Sequence, residues 1–231
     1  MDDTFLKNIV KSGNFEENLK SIADTVEGKI VFSTSFGIED QVILHGIFSQ
    51  KIKNIEVFTL DTGRLFPETY ALWDKTLQQY SAPIKAYYPN GNQIEAFVQN
   101  NGINPFYDSV DLRKECCHIR KVAPLNRALK GAEIWITGLR AEQSKNRNGL
   151  DVIQWDEHFQ VFKYNPSLHW TSGEVKEYIK KNGVPYNTLH DKNFVSIGCA
   201  PCTRAIKEGE NFRDGRWWWE DQSKKECGLH K

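Results

Sequence analysis

Apolar side chains at Phe15, Leu19, Ile22 and Val26 recur at the spacing of one helical face, and Gly28 follows as a stop. The pattern then changes to a short continuous apolar run, Ile30-Val31-Phe32, which predicts a strand leading into Ser33-Thr34-Ser35-Phe36-Gly37. From near Glu39 a second helix is predicted, carrying Val42, Ile43, Leu44 and Ile47. Ile55-Glu56-Val57-Phe58-Thr59-Leu60 reads as the next strand, ending at Asp61-Thr62-Gly63. Pro67 suits the first turn of the helix that follows, through about Tyr80. Residues 84–88 and 133–138 read as further strands. Strands alternating with helices at these intervals predict an α/β fold, a doubly wound and mostly parallel sheet with helices on both faces.

In such sheets ligands sit beyond the carboxyl ends of the strands. Three of those ends, at 33–37, 61–64 and 138–147, are polar and are predicted to converge on one crevice. From about Ile206 the composition shifts, and 210–231 is charged, aromatic and punctuated by glycine. The expected organisation is an α/β body over 1–209 and a flexible C-terminal tail over 210–231. No internal repeat or low-complexity segment is evident.

Composition narrows the function classes. Thirty basic residues balance thirty acidic ones, which argues against a general polyanion binder, so no nucleic acid is expected as partner. The opening Met1-Asp2-Asp3-Thr4-Phe5-Leu6-Lys7 lacks a basic region followed by an apolar run, and no apolar stretch is long enough for a membrane span. A cytoplasmic location with no membrane association is therefore expected. Five cysteines make an odd count, which disfavours a disulfide framework and favours metal binding or reactive-thiol chemistry.

Hydroxyls, backbone N–H groups and a helix start at 33–37 are the parts of an anion cradle, with Ser33 and Ser35 as its side chains. An ordinary capped strand-to-helix turn has the same appearance. The segment is neither a Walker A loop nor a dinucleotide fingerprint, because the required Gly-Lys-Ser/Thr and glycine spacings are absent. Arg64, at the second strand end, has the geometry to grip a phosphate or sulfate with two hydrogen bonds, or to be a solvated turn charge. Arg140, Lys145 and Arg147 add cations in the third loop. Positive side chains at strand ends of a neutral chain suggest an anionic small molecule.

Cys116-Cys117 and Cys199-Ala200-Pro201-Cys202 hold four of the cysteines. Zinc sites usually separate paired cysteines by about two to four residues, so the tandem pair weakens a zinc reading. Adjacent α-carbons only about 3.8 Å apart also make a disulfide between them strained. A [4Fe–4S] cube offers an open iron site at each corner and accepts two such close thiolates. Lys121, one helical turn beyond Cys117, is placed either beside that group or on an exposed helix face. Cys227 stands apart in Glu226-Cys227-Gly228-Leu229-His230. Lys224, Lys225 and His230 favour its thiolate and Glu226 opposes it, so spacing and charge leave open a nucleophile or an incidental terminal thiol. Arg213 and Arg216 precede it and could close over an anion, and Trp217-Trp218-Trp219 read as packing anchors for the tail.

Six segments in order resemble the assimilatory phosphosulfate reductases: 33–39, 60–69, 114–125, 198–204, 215–220 and 226–230. One branch of that family lacks the tandem pair and the Cys-x-x-Cys and reduces the 3′-phosphorylated substrate. This chain keeps all four cysteines and is similar to the iron–sulfur branch, which uses adenosine 5′-phosphosulfate. The resemblance implies an adenine nucleotide alpha-hydrolase-like fold, with 1–209 as a nucleotide-binding domain holding one [4Fe–4S] cluster on Cys116, Cys117, Cys199 and Cys202. It implies that Cys227 is the nucleophile, attacking the phosphosulfate sulfur and releasing AMP. Thioredoxin or glutaredoxin then releases sulfite. By the same analogy Ser33, Ser35, Arg64, Lys121, Arg140, Arg147, Arg213, Arg216 and His230 bind substrate. Ala141 and Lys145 depart from a more arginine-rich family loop. The competing expectations are a 3′-phosphoadenylyl-sulfate or dual-substrate reductase, a non-catalytic zinc and nucleotide-binding protein, and an ATP-dependent thiolation or amidation enzyme. A homo-oligomer is left open.

Overall fold

A computed structural model describes residues 3–10, 13–143 and 149–221 of the chain. Its strands are β1 (Lys29–Thr34), β2 (Ile55–Leu60), β3 (Lys85–Tyr87), β4 (Ala132–Ile136), β5 (Ile153–Asp156) and β6 (Val161–Tyr164). They form one sheet in the order β3-β2-β1-β4-β6-β5. β1 runs parallel to β2 and to β4, β4 runs parallel to β6, and β5 pairs with β6 antiparallel. The helices are α1 (Asp3–Ile9), α2 (Phe15–Thr25), α3 (Ile38–Ser49), α4 (Pro67–Tyr80), α5 (Gly91–Asn101), α6 (Val110–Cys117), α7 (Ala123–Leu129) and α8 (Ser172–Asn182).

The sheet is covered on both faces, as its sequence demands. Successive residues of a strand point to opposite sides, yet Ile30, Val31 and Phe32 are all buried, as are Ile134, Trp135 and Ile136 of β4. Phe15, Leu19, Ile22 and Val26 form the predicted stripe of α2 and are likewise buried. Asn14 starts that helix by accepting from the Glu16 N–H at 2.9 Å. α2 ends at Thr25, with Val26 rather than Gly28 at its C-terminal cap. The α3, β2 and α4 expectations agree closely with the structure. β3 is shorter than 84–88, and β4 begins one residue earlier and ends two earlier than 133–138. The β5–β6 hairpin was not legible, because four-residue strands give only two alternations.

Two compact units divide the chain. The first comprises Met1–Thr59, Glu68–Lys85 and Gly131–Thr188, and the second Leu60–Pro67, Ala86–Lys130 and Leu189–Lys231. The first holds the larger core, where Phe32 and Ile136 pack with Leu19, Ile22, Ile43 and Ile47. The second has its own core of Phe97, Phe106, Ile119, Trp217 and three cysteines. Residues 210–221, expected in the tail, lie in this unit with Trp217 only 1% exposed. Among the described residues, no helix is long and apolar enough to cross a membrane.

Candidate active site

In the first unit the chain leaves β1 at Thr34 and enters α3 at Ile38. Phe36 takes a left-handed backbone, φ 59°, and its N–H donates to Thr34 Oγ1 at 3.0 Å. Asp40, in the first turn of α3, accepts from the Ser35 N–H at 2.6 Å and from Ser35 Oγ at 2.7 Å. Burial pushes the Asp40 carboxyl up to about 6, against the hydrogen bonds from Ser35 that favour its charge. The other carboxylate oxygen packs on the α-carbon of Gly138, where a side chain would have no room. The loops after β1 and β4 therefore meet at Asp40. Ser33 Oγ accepts from Trp135 Nε1 at 2.8 Å. Arg140 is buried, donating from Nε to Glu39 at 2.8 Å, from Nη1 to Glu142 and the Trp170 carbonyl, and from Nη2 to Ser172 Oγ. Three predicted substrate residues, Ser33, Ser35 and Arg140, thus lie at these strand ends with protein partners.

In the second unit α6 is capped by Ser109, whose Oγ accepts from the Leu112 N–H at 3.1 Å, and it delivers Cys116 and Cys117 at its last turn. A wide π-helical turn, His118–Val122, follows and carries Arg120 and Lys121. The second cysteine pair sits on a short 3₁₀ turn, where the Cys202 N–H donates to the Cys199 carbonyl at 3.0 Å. Cys116, Cys117, Cys199 and Cys202 line one cavity, and none of the four is in a disulfide. Arg64, Arg113, Arg120 and Lys121 line it too.

The 61–64 turn is built into this cavity's wall. Gly63 takes φ 69°, with its N–H on Asp61 Oδ1 at 2.8 Å. Thr62 Oγ1 lies 3.3 Å from Cys199 Sγ, and the Arg64 carbonyl accepts from the Ala200 N–H at 2.8 Å. Arg120 donates to the Thr62 carbonyl at 2.7 Å. The Arg64 guanidinium donates to the Ile103 carbonyl and Asn104 Oδ1, both at 2.6 Å.

The thiols differ in acidity. Burial raises Cys199, but Lys121, the Thr62 hydrogen bond, Arg216 and Arg120 together outweigh it and leave the thiol more acidic than usual. Burial, aided by Cys199 and Cys117, pushes Cys202 up to about 12. Burial also raises Cys116, against the pull of Arg120. Segment 213–217 packs against the Cys-x-x-Cys turn. The Trp217 N–H donates to the Cys202 carbonyl at 3.2 Å, and Thr203 bridges Arg216. The Arg216 guanidinium packs flat over Gly198 and 4.8 Å from the Trp217 ring, with Arg213 at 5.8 Å from that ring.

Four thiols, surrounding cations and two buried donors without a partner among the described residues, Arg216 Nε and Trp217 Nε1, suit a polyanionic sulfur-bound group. No three His, Cys, Asp or Glu side chains among the described residues form a ready-made metal site. Arg64, Lys121, Arg213 and Arg216 are found in this unit with the four cysteines. Cys227, His230 and Arg147 lie outside the described residues. Sequence reasoning gave no role to Asp40, Arg113 or Arg120. Arg120 lies inside a recognised segment, whereas Asp40 and Arg113 carry no local signal.

The sequence profile of the phosphoadenosine phosphosulfate reductase domain matches residues 29–205. The chain belongs to this family. It is 51% identical over 205 residues to the adenosine 5′-phosphosulfate reductase of Rhizobium meliloti, an alignment covering 89% of this chain and 77% of the relative. A crystal structure of phosphoadenylyl-sulfate reductase from Candida auris superposes with a TM-score of 0.73 at 31% identity, covering 88% of this chain and 95% of that one. Yeast FAD synthetase shares the fold alone, with a TM-score of 0.56 at 16% identity over 87% of this chain and 67% of its own. Like the expected adenine nucleotide alpha-hydrolase-like architecture, this family sheet is mostly parallel and flanked by helices.

Proposed function

We propose that this chain reduces adenosine 5′-phosphosulfate to sulfite and AMP, serving assimilatory sulfate reduction and cysteine biosynthesis. The observation that carries the reading is the single cavity lined by Cys116, Cys117, Cys199 and Cys202. The name of the Rhizobium meliloti relative supports the choice of the nucleotide without a 3′-phosphate. A [4Fe–4S] cluster held by those four thiolates supplies, when bound, a structural tie between the two cysteine segments and a local electrostatic field. Lys121 and Arg120 offset negative charge beside the thiolates.

The chemistry belongs to Cys227. Its thiolate attacks the sulfur of the phosphosulfate. The bond from that sulfur to the bridging phosphate oxygen breaks, AMP leaves, and an S-sulfonated cysteine remains. A thiolate of thioredoxin or glutaredoxin then attacks the Cys227 sulfur and expels sulfite, giving a mixed disulfide that the donor's second thiol resolves. Two electrons pass from the dithiol to sulfur. In this reading Arg64, Arg140, Arg147, Arg213, Arg216, Lys121 and His230 neutralise the phosphosulfate and AMP charges, and Ser33 and Ser35 hydrogen-bond the anion. Asp40 currently engages both Ser35 donors, so an arriving anion must share or displace those bonds. The protein is cytoplasmic in this reading, and the C-terminal end of the chain presents Cys227 in turn to substrate and donor.

Anaerobically purified protein assayed for iron, acid-labile sulfide and sulfite release tests the proposal. Iron, sulfide and fast turnover of adenosine 5′-phosphosulfate with thioredoxin are expected. Comparable turnover of the 3′-phosphorylated nucleotide would make the enzyme dual, and a colourless zinc protein without turnover would overturn the reading.

A further inference from the structure

Arg113 is fully buried in the second unit, yet it was not among the residues expected to act. Its guanidinium donates through Nε to Glu220 Oε1 at 2.9 Å and through Nη2 to Glu220 Oε2 at 2.8 Å. The side chains are 0% and 3% exposed, so this is a forked, desolvated pair rather than a surface contact. The Trp217 ring lies 4.8 Å from the Arg113 guanidinium carbon, and Arg113 also hydrogen-bonds Cys117. One side chain thus touches a cysteine of the cavity, the aromatic base of the 215–220 segment, and its last carboxylate.

The two ends of this link come from segments with different tasks. Arg113 is on α6, one turn before Cys116 and Cys117. Glu220 is seven residues before Cys227. Upstream, backbone bonds stitch the same segment to the Cys-x-x-Cys turn: Arg204 N–H to the Gly215 carbonyl at 2.9 Å and Trp217 N–H to the Cys202 carbonyl at 3.2 Å. Resting on the assignment of Cys227 as nucleophile, we propose that Arg113 is a positioning residue of the sulfur-transfer step. Its pair with Glu220 fixes the point and direction from which the Cys227 arm departs, relative to the cysteine cavity.

Releasing Glu220 leaves Trp219, whose ring packs 4.5 Å from the Tyr107 ring, as the last described anchor before Cys227, one residue further back in the sequence. Tether length alone would then lower the effective concentration of Cys227 by only about 1.2-fold. A positioning role demands more. The test uses the loaded full chain, as Arg113→Gln, Arg113→Lys and Glu220→Gln, with three readouts: iron content, hydrogen exchange over 210–221, and single-turnover S-sulfonation of Cys227 by adenosine 5′-phosphosulfate. Iron content near wild type, exchange protection lost over 210–221, and S-sulfonation slowed at least fivefold are expected for Arg113→Gln and Glu220→Gln, well beyond the roughly 1.2-fold tether effect. Arg113→Lys should recover part of the rate, since it keeps the charge and loses the fork. Rates within twofold of wild type in iron-loaded variants would overturn the proposal, and so would loss of iron and of global exchange protection in both glutamine variants, which would make the pair purely structural. If wild-type protein forms no adduct on Cys227, the nucleophile assignment fails and takes the positioning role with it. An adduct on Cys227 with unchanged variant rates overturns the positioning role alone.

Discussion

Gly198 sets the position of a charge by lacking a methyl group. The Arg216 guanidinium packs directly over its α-carbon, in the space a Cβ would occupy. Gly198→Ala must displace that guanidinium from the Cys199 and Trp217 surroundings, and overpacking of this kind costs about 1–3 kcal/mol. Urea unfolding should show that loss, together with reduced turnover. A second single-residue effect belongs to Asp40. Its carboxyl moves from 3.8 to about 6 on folding, so the folded state binds more protons between those values. Stability contributed by this group is therefore full at low pH, falls as pH rises through that window, and levels off above it. The total is up to about 3 kcal/mol. Asp40→Asn should flatten this part of the stability curve relative to wild type, measured by chemical unfolding from acid to neutral pH. Parallel curves would show that Asp40 titrates normally. The cysteines were legible because tandem and Cys-x-x-Cys spacings are local. Arg113 was not, because the partner that gives it meaning is 107 residues away.

At the scale of elements, the loop after β4 shows a cation used by the fold. Arg140 is held by Glu39 of α3, by Glu142, and by the residues just before and at the start of α8. Removing the charge leaves Glu39 buried without its partner, a loss of about 3–5 kcal/mol. Arg140→Gln should lower the urea midpoint sharply. Arg64→Gln should cost less, since its partners are a carbonyl and an amide in exposed surroundings. Long periodic segments were read well, with α4 and β2 found at their expected bounds. Short segments were not: β5 and β6 are four residues each, and a π-helical turn has no sequence period that distinguishes it from α. The three polar strand ends were expected in one crevice. The structure brings the first and third together at Asp40 and builds the second into the wall of the cysteine cavity.

For the whole molecule, the division of the five cysteines separates two losses of function. Cys116→Ser, Cys117→Ser, Cys199→Ser or Cys202→Ser should each lower bound iron and the visible absorbance. Cys227→Ser should keep both and abolish sulfite release, checked by iron assay and turnover on the same samples. A variant at Cys227 that loses iron would place that thiol in the wrong set. The nucleophile is the step on which the functional reading depends. Its most direct measurement is peptide mass spectrometry of anaerobically purified, iron-loaded protein incubated with adenosine 5′-phosphosulfate in the absence of thiols. The expected result is one added sulfonate on Cys227, removed by thioredoxin with release of sulfite. An adduct on any other residue, or none in iron-loaded protein, would contradict the mechanism.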